Sequence, residues 1–234
     1  PPPRQAAYPE DPERTLRTSA LRRLARAATA VTLAVLGVSF ALVLALRWLD
    51  PPVSAFMLPD LFSGKGGAPV AHRWVPLERM PEHLLLAVIA AEDQRFPHHY
   101  GFDLREIRDA IEERAAGQRV RGASTISQQV ARNLFLWRDR SWVRKGLEAW
   151  LTALIELTWP KRRILEMYLN FAQFGPRTYG AAAAAERSFR KAVRDLTPQE
   201  SARLAAVLPN PEALSAAAPS PRVRSRADWI ERQM

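Results

Sequence analysis

The chain has 234 residues, enough for one folded domain of ordinary size with additional segments. It contains no cysteine, which excludes a disulfide framework and any zinc site built on thiolates. With 34 basic residues against 24 acidic ones the net charge is +10, so an anionic partner is expected: nucleic acid, anionic lipid or a phosphorylated substrate.

An uncharged apolar run, AATAVTLAVLGVSFALVLAL, occupies positions 27–46. At about 1.5 Å per residue it spans roughly 30 Å, the thickness of a bilayer's hydrocarbon core. Arg17, Arg22, Arg23 and Arg26 precede it, which places the N-terminal side in the cytoplasm. A cleavable signal peptide is the alternative, but it would have a shorter core followed by a small-residue cleavage site. We therefore predict a retained single-pass anchor with the folded domain outside the cytoplasm, which argues against nucleic acid as the partner.

Composition predicts five segments along the chain. Residues 1–26 form a basic, proline-rich cytoplasmic tail, 27–49 a transmembrane helix, 50–75 a linker, 76–215 the folded domain and 216–234 a C-terminal extension. The linker is rich in proline and glycine but carries apolar residues that are expected either to rest on the membrane surface or to pack on the domain: Phe56, Met57, Leu58, Leu61 and Phe62.

From residue 76 onward the apolar spacing is helical. The pattern predicts helices that begin at Glu82 and over 104–116, 124–136, 143–158, 161–171, 179–189, 197–208 and 222–234. Ser124 or Thr125 is expected to cap the third, and Thr197 opens the capping box TPQE. We find no convincing alternating strand and no repeat, so the predicted fold class is mainly α.

The stretch AAEDQRFPHHYGFD combines two acids with two histidines. Glu92 ends an apolar helical run, and such a partly desolvated carboxylate has a raised pKa that suits a general base. A metal site is the alternative, but Glu92, Asp93, His98 and His99 lack the spacing that places two imidazoles on one helix face. We expect His99 to hydrogen-bond the backbone near Gly101 and fix the turn. Taken alone, the local sequence favours an ordinary helix end over an active site.

A second group of polar side chains crowds the helix predicted over 124–136. Its hydroxyl and amide residues are Ser124, Thr125, Ser127, Gln128, Gln129 and Asn133. Seven basic residues lie between positions 119 and 145, against one acid, Asp139: Arg119, Arg121, Arg132, Arg138, Arg140, Arg144 and Lys145. A solvated basic face is the ordinary interpretation, whereas amides interleaved with the charge favour an anion site.

Glu148 follows Arg144 by four residues and Lys145 by three, so pairing within one helix turn is expected. Taken in isolation, an ordinary structural pair between residues four apart is the favoured interpretation. Trp142, Trp150 and Trp159 are interpreted as core residues or membrane-interface anchors.

Five segments in order now carry a resemblance: EDQRFPHHYG, RGASTISQQVARN, RKGLE, KRRILEMYLN and YGAAAAAERSFRK. They resemble the five motifs of the family 51 glycosyltransferases, the peptidoglycan polymerases, and most of all the anchored monofunctional members, the biosynthetic peptidoglycan transglycosylases. The resemblance covers about residues 80 to 212. It implies a lysozyme-like, two-lobed, mainly α domain behind a single transmembrane helix. About 20 residues follow Pro211, so no penicillin-binding domain is expected.

The resemblance implies polymerisation of lipid II into β-1,4 glycan strands, with inversion and release of undecaprenyl pyrophosphate. Glu92 resembles the catalytic base and Glu148 the second essential glutamate, so the resemblance implies that both are catalytic. The implied substrate-binding residues are Asp93, Phe96, His99, Ser124, Gln128, Gln129, Arg132, Asn133, Arg140, Arg144 and Lys145. The fourth motif, with Lys161, Glu166, Tyr168 and Asn170, is expected to be mainly structural, and the segment 134–142 is expected to be mobile.

Some positions depart from the family pattern. Arg132 stands where lysine is usual and offers a planar fork in place of a point charge. Thr152 replaces an alanine of the third motif, and Ser188 and Arg190 replace the usual tyrosine and glycine of the fifth.

The resemblance also implies the surroundings of the enzyme. Expected partners are lipid II, the growing glycan strand, the membrane and other cell-wall synthases, but no nucleic acid. No tightly bound cofactor or protein-held metal is expected, whereas a divalent cation, Mg or Mn, is expected to assist at the pyrophosphate. The implied location is the cell inner membrane, with a cytoplasmic N-terminus and a periplasmic catalytic domain.

Two other functions remain open on the sequence. A lysozyme-like enzyme that cleaves glycan would also use a glutamate at a helix end, but it needs no cationic pyrophosphate site. A non-catalytic cell-wall scaffold would be expected to lose Glu92 or Glu148.

Overall fold

A computed structural model describes residues 12–63, 68–117, 124–139 and 141–234, with side chains from residue 22 onward. Three of the basic residues singled out above, Arg119, Arg121 and Arg140, lie outside the described residues. The chain divides into two compact units, residues 1–42 and residues 43–234.

The described part of the first unit is one helix, α1, which runs from Pro12 to Ala45 and so ends inside the second unit. Its stretch Arg22–Ala45 is long and apolar enough to cross a membrane, judged by length and composition. Large apolar side chains on this stretch are exposed, among them Val31, Leu33 and Val38. The single N-terminal apolar helix predicted from the sequence is therefore confirmed.

The second unit is mainly helical, as predicted. Its α-helices are α2 (Leu58–Phe62), α3 (Glu82–Glu92), α4 (Leu104–Ala115), α5 (Ile126–Phe135), α6 (Trp142–Thr158), α7 (Lys161–Phe171), α8 (Ala181–Phe189), α9 (Pro198–Val207) and α10 (Pro221–Gln233). Short 3-10 turns cover Leu77–Arg79, Phe96–His98 and Val193–Asp195.

Side-chain caps explain where several of these helices begin. Thr125 caps α5 and Thr197 caps α9, each in a complete capping box with the side chain three residues later. Ser141 caps α6 and Ser220 caps α10 by accepting from a backbone N–H of the first turn. Because these caps act locally, the predicted helix starts at α5, α6 and α9 agree with the observed ones to within two residues.

Three short strands contradict the expectation that the chain contains none. They are β1 (Ala71–His72), β2 (Gln173–Gly175) and β3 (Thr178–Tyr179), in the spatial order β1-β3-β2. β1 runs parallel to β3, while β2 pairs with β3 antiparallel and with an irregular register. Strands of two or three residues are too short for an alternating pattern to show. Tyr179, expected in the alanine-rich helix, instead lies in β3.

The predicted linker is partly built into the domain. Ala55 and Phe56 donate their backbone N–H groups to the carbonyls of Leu134 and Asn133, 3.1 Å away in both cases, and Met57 is buried. Of the two expectations for its apolar residues, packing on the domain is therefore observed for Met57. The exact boundaries of the five predicted segments stay predictions.

Two helices that carry predicted site residues, α3 and α5, each pack against two other helices in the core. α5 packs against α6 and α7, whereas α3 packs against α9 and α10. α10 is seated through Val223, Ala227 and Ile230, which are buried along one face. The segment predicted as a C-terminal extension is thus packed against α3.

Gly101 lies where the chain turns between α3 and α4, with a φ of +82°. A Cβ at this position would lie 2.7 Å from Thr152 Cγ2 and 2.9 Å from Glu156 Cγ, both on α6. Only glycine meets both the left-handed backbone and this close approach.

We predict that Gly101→Ala lowers the free energy of unfolding by about 2–4 kcal/mol, because backbone strain and overpacking act together. The matched control is Gly117→Ala, where φ is +70° but no described atom lies within 4 Å of the added Cβ. That change should cost about 1 kcal/mol from backbone strain alone. Thermal unfolding in detergent, followed by circular dichroism, measures both, and equal losses would contradict the crowding argument.

Candidate active site

The end of α3 is tied to the start of α5 through one carboxylate. Asp93, the residue after α3, accepts a hydrogen bond from His99 Nε2 at 2.9 Å and another from the backbone N–H of Ile126 at 2.9 Å. Asp93 and His99 are both buried. Asp93 therefore also satisfies one of the backbone N–H groups that have no partner within the helix at the N-terminus of α5.

The expectation that His99 bonds the backbone near Gly101 is wrong. Its ring donates to the Asp93 carboxylate across the 3-10 turn over Phe96–His98. The carbonyl of Gly101 accepts instead from Thr125 Oγ1 at 2.7 Å. The turn is thus fixed by the cap of α5.

Glu92 is the last residue of α3 and points toward α5. Gln129 Nε2 donates to Glu92 Oε2 at 2.9 Å, and Tyr168 OH donates to Gln129 Oε1 at 3.3 Å. Burial raises the pKa of Glu92, while the bond from Gln129 and the charges of Arg226 and Arg132 act in the opposite direction. The raised pKa is the direction expected from an acid that ends an apolar helix.

Arg132 lies within electrostatic reach of both glutamates of interest. Burial lowers the pKa of Arg132, whereas the negative charges of Glu148 and Glu92 act to raise it. Its guanidinium also lies over the Phe56 ring, 5.7 Å from the centroid, and its Nε donates to Asn133 Oδ1 at 3.4 Å. Arg132 therefore places a fixed positive charge close to both acids.

The Glu148 carboxylate is enclosed between two cations of its own helix. Arg144 Nη1 lies 2.9 Å from Glu148 Oε2, and Lys145 Nζ contacts Oε1. The side chains of Glu148 and Arg144 are 2% and 9% exposed, whereas that of Lys145 is 45% exposed. The predicted pairing is present, but it is a buried one, and of these three groups Lys145 is the one that solvent reaches.

The remaining predicted site residues differ in their burial and contacts. Phe96 is buried beneath Lys161, whose Nζ lies 4.5 Å from the ring centroid. Gln128 completes the capping box of α5, and Asn133 is buried. Ser124, just before the cap, is partly exposed, and Arg140 is outside the described residues.

One residue near Glu92 was not anticipated. Arg226 of α10 brings its Nη2 to 3.8 Å from Glu92 Oε1 and donates to the carbonyl of Ala91 at 3.1 Å. No local signal identified it, because it lies 135 positions along the chain from Ala91, in a segment interpreted as an extension.

The metal alternative for the acidic stretch finds no support in the described residues. Within them, no group of three His, Asp or Glu side chains is arranged to hold a metal ion. His98 is exposed, and His99 is bonded to Asp93. The absence of a protein-held metal stays a prediction.

Comparison with known proteins decides the family. The family model described as Transglycosylase matches residues 62–234. The chain belongs to the transglycosylase family. The matched range includes α10, so the Arg226 helix lies within the transglycosylase domain.

Curated relatives agree over nearly the whole chain. A biosynthetic peptidoglycan transglycosylase of Xanthomonas campestris pv. campestris (strain B100) is 53% identical over 216 residues, 91% of this chain and 88% of that protein. Its namesake in Aeromonas hydrophila is 50% identical over 220 residues, 94% of each chain. Another, from Ectopseudomonas mendocina, is 52% identical over 196 residues, 82% of this chain and 81% of that protein.

The buried charge at Glu92 predicts that Glu92→Gln stabilises the fold at neutral pH. A carboxyl whose pKa is raised on folding binds a proton more readily in the folded state, so stability falls as pH rises from the unfolded pKa through the folded one. The neutral amide avoids this loss, and we expect a gain of about 1 kcal/mol in the free energy of unfolding at pH 8.

Thermal unfolding at a series of pH values measures the effect. The gain should shrink toward acid pH, where Glu92 is itself protonated. Glu82→Gln, at the exposed start of the same helix, is the control. A Glu92→Gln protein that is less stable than the parent at pH 8 would contradict the argument.

Proposed function

We propose that this transglycosylase polymerises lipid II into β-1,4 glycan strands, with inversion at the donor sugar and release of undecaprenyl pyrophosphate. The curated relatives carry the name biosynthetic peptidoglycan transglycosylase, which supports this substrate class. The observation that carries the assignment is the largely buried carboxylate of Glu92, which is held through one oxygen by Gln129 and lies near the cations Arg132 of α5 and Arg226 of α10.

Glu92 acts as the general base on the acceptor. Its Oε2 is occupied by Gln129, whereas Oε1 has no hydrogen-bond donor closer than Arg226 at 3.8 Å among the described groups. Oε1 therefore takes the proton of the acceptor's 4-hydroxyl group. As that proton leaves, the oxygen forms its bond to C1 of the donor sugar.

The bond from C1 to the pyrophosphate oxygen breaks in the same displacement, and the electron pair leaves with the pyrophosphate. Negative charge grows on this leaving group, so cations fixed before the reaction stabilise it most. We assign this role to Arg132, whose charge acts on both glutamates, and to the partly exposed Lys145. Arg140 remains a prediction for the same role.

Glu148 acts as a positioning residue in this proposal. Both of its oxygens are engaged by cations, which leaves it no free position for a proton transfer. It holds the exposed Lys145 in place for the leaving pyrophosphate, while Arg144 compensates the remaining negative charge. Together the three carry a net charge of +1, which suits a pyrophosphate.

The two alternatives fit the site less well. A glycan-cleaving enzyme must activate water near the glutamate, and it has no use for Arg132 and Lys145 at the leaving group. A scaffold has no use for a buried ionisable Glu92 with a donor on one oxygen only.

Membrane attachment and partners extend the proposal. α1 supplies a span that fits a single-pass anchor, and the arginines before it favour a cytoplasmic N-terminus and a periplasmic catalytic domain at the inner membrane. The growing glycan strand is the second substrate, and other cell-wall synthases are proposed partners.

The described side chains do not fit a protein-held cation, so no step is assigned to a metal. Asp93 and Glu148 are both bonded within the protein, and Glu92 has its own donor. We propose that a divalent cation, Mg or Mn, enters with the pyrophosphate as part of the substrate complex.

We predict that Glu92→Gln lowers polymerisation by about 100-fold or more, because the amide cannot accept the proton. The full-length protein in detergent is given labelled lipid II, and polymer is read on a gel before and after muramidase digestion. Glu82→Gln on the same helix should keep the activity of the parent. A folded Glu92→Gln protein that polymerises at the parent rate would remove Glu92 as the base.

Arg132→Gln should lower kcat by about 100-fold, since it removes a preorganised charge near the leaving group. Arg132→Lys should stay within about tenfold of the parent, because it keeps a positive charge without the fork. Arg194→Gln, at an exposed position, is the charge-matched control. Equal losses for the lysine and glutamine variants would show that the fork, not the charge, is what the site needs.

A further inference from the structure

The C-terminal helix places a cation beside the proposed base. α10 is fixed to the domain by the buried face of Val223, Ala227 and Ile230, and Arg226 stands next to Ala227 on that helix. Its Nη2 lies 3.8 Å from Glu92 Oε1, the oxygen that Gln129 leaves free. Its side chain is 36% exposed, so it also borders solvent.

The same guanidinium closes the end of α3. Arg226 Nη2 donates to the carbonyl of Ala91 at 3.1 Å, one of the last carbonyls that the helix leaves without a partner. A cation at a helix C-terminus is favoured by the helix dipole. Its Nε is buried and has no hydrogen-bond partner among the described atoms. This arrangement therefore carries the desolvation penalty of an unpaired donor.

We propose that Arg226 is a positioning residue for the reaction, which acts through Glu92 by fixing the orientation and the charge of its Oε1. The inference rests on the proposed role of Glu92 as the base. A residue that only closes the helix would need the carbonyl of Ala91 alone, whereas this guanidinium also approaches the carboxylate.

Several other charged or titratable groups face Glu92 besides Arg226. Arg132 of α5 adds a second positive charge, Asp93 at the end of α3 adds a negative one, and buried Tyr168 of α7 is in electrostatic contact with the carboxylate. Burial favours the protonated acid, and Arg226 and Arg132 favour the carboxylate. With Arg226 removed, Glu92 holds its proton to higher pH, and a protonated base cannot accept another.

The test is the pH dependence of kcat/KM for labelled lipid II with the full-length protein in detergent. Arg226→Gln should lose about three- to tenfold more activity on the acid side of the profile than at alkaline pH, because its acid limb moves to higher pH. Arg226→Lys should restore most of the acid-side activity by returning the charge. Arg222→Gln, an exposed arginine of the same helix, should follow the parent profile.

A merely structural role gives a different result. If only the bond to Ala91 matters, the acid limb stays where the parent has it and activity falls by the same factor at every pH, and that outcome overturns the proposal. Should Arg226→Gln fail to fold, Arg226→Met replaces it, because its unbranched apolar chain fills the place of the arginine stem without the charge.

Measuring Glu92→Gln in parallel separates a failure of the base assignment from a failure of the inference about Arg226. If it polymerises at the parent rate, the base assignment fails whatever Arg226 does. If it is inactive while the folded Arg226 variants keep the parent's acid limb, only the inference about Arg226 is overturned.

Discussion

The carboxylate of Asp93 is the interaction on which the arrangement depends. It accepts a hydrogen bond from the buried ring of His99 and another from the first backbone N–H of α5. These bonds join the end of α3 to the start of α5. Glu92 precedes it, and Gln129 lies one turn into α5. The 2.9 Å contact between those two side chains follows from the position that Asp93 imposes on their helices.

The charged groups of α6 differ in their exposure to solvent. Arg144 and Glu148 form a buried ion pair, whereas Lys145, which also contacts Glu148, is partly exposed. Burying a pair of charges brings little net stability, since desolvation offsets attraction. In the proposed function the pair gives Lys145 a defined position, so that the lysine side chain loses less conformational freedom when it binds the pyrophosphate.

Local signals predicted the helices and the acid at the end of α3, whereas contacts between distant segments were out of their reach. Thr125 and Thr197 mark the starts of their helices in the sequence, because a capping box involves residues only three positions apart. The pairing of Ala71 with Thr178 leaves no trace in two residues, and the turn of His99 toward Asp93 depends on the path of the chain after Phe96. Arg226 had no sequence signal at all, since its role depends on how α10 packs against α3. The resemblance supplied the candidate residues, and the structure divides them into groups that face Glu92 or solvent and groups that hold others in place.

The chain of donors from Tyr168 through Gln129 has a direction. The tyrosine hydroxyl fixes the amide so that its carbonyl faces inward and its NH2 group faces Glu92. The two hydrogen bonds align the tyrosine hydroxyl and the amide with the carboxylate, and Tyr168 is buried in the core. When the carboxylate gains or loses its charge, the protein therefore has little to rearrange, whereas water at the same place would have to reorient around each new charge. In the proposed reaction the fourth motif, expected to be mainly structural, thus contributes a permanent polarity beside the base through Tyr168, which is itself buried.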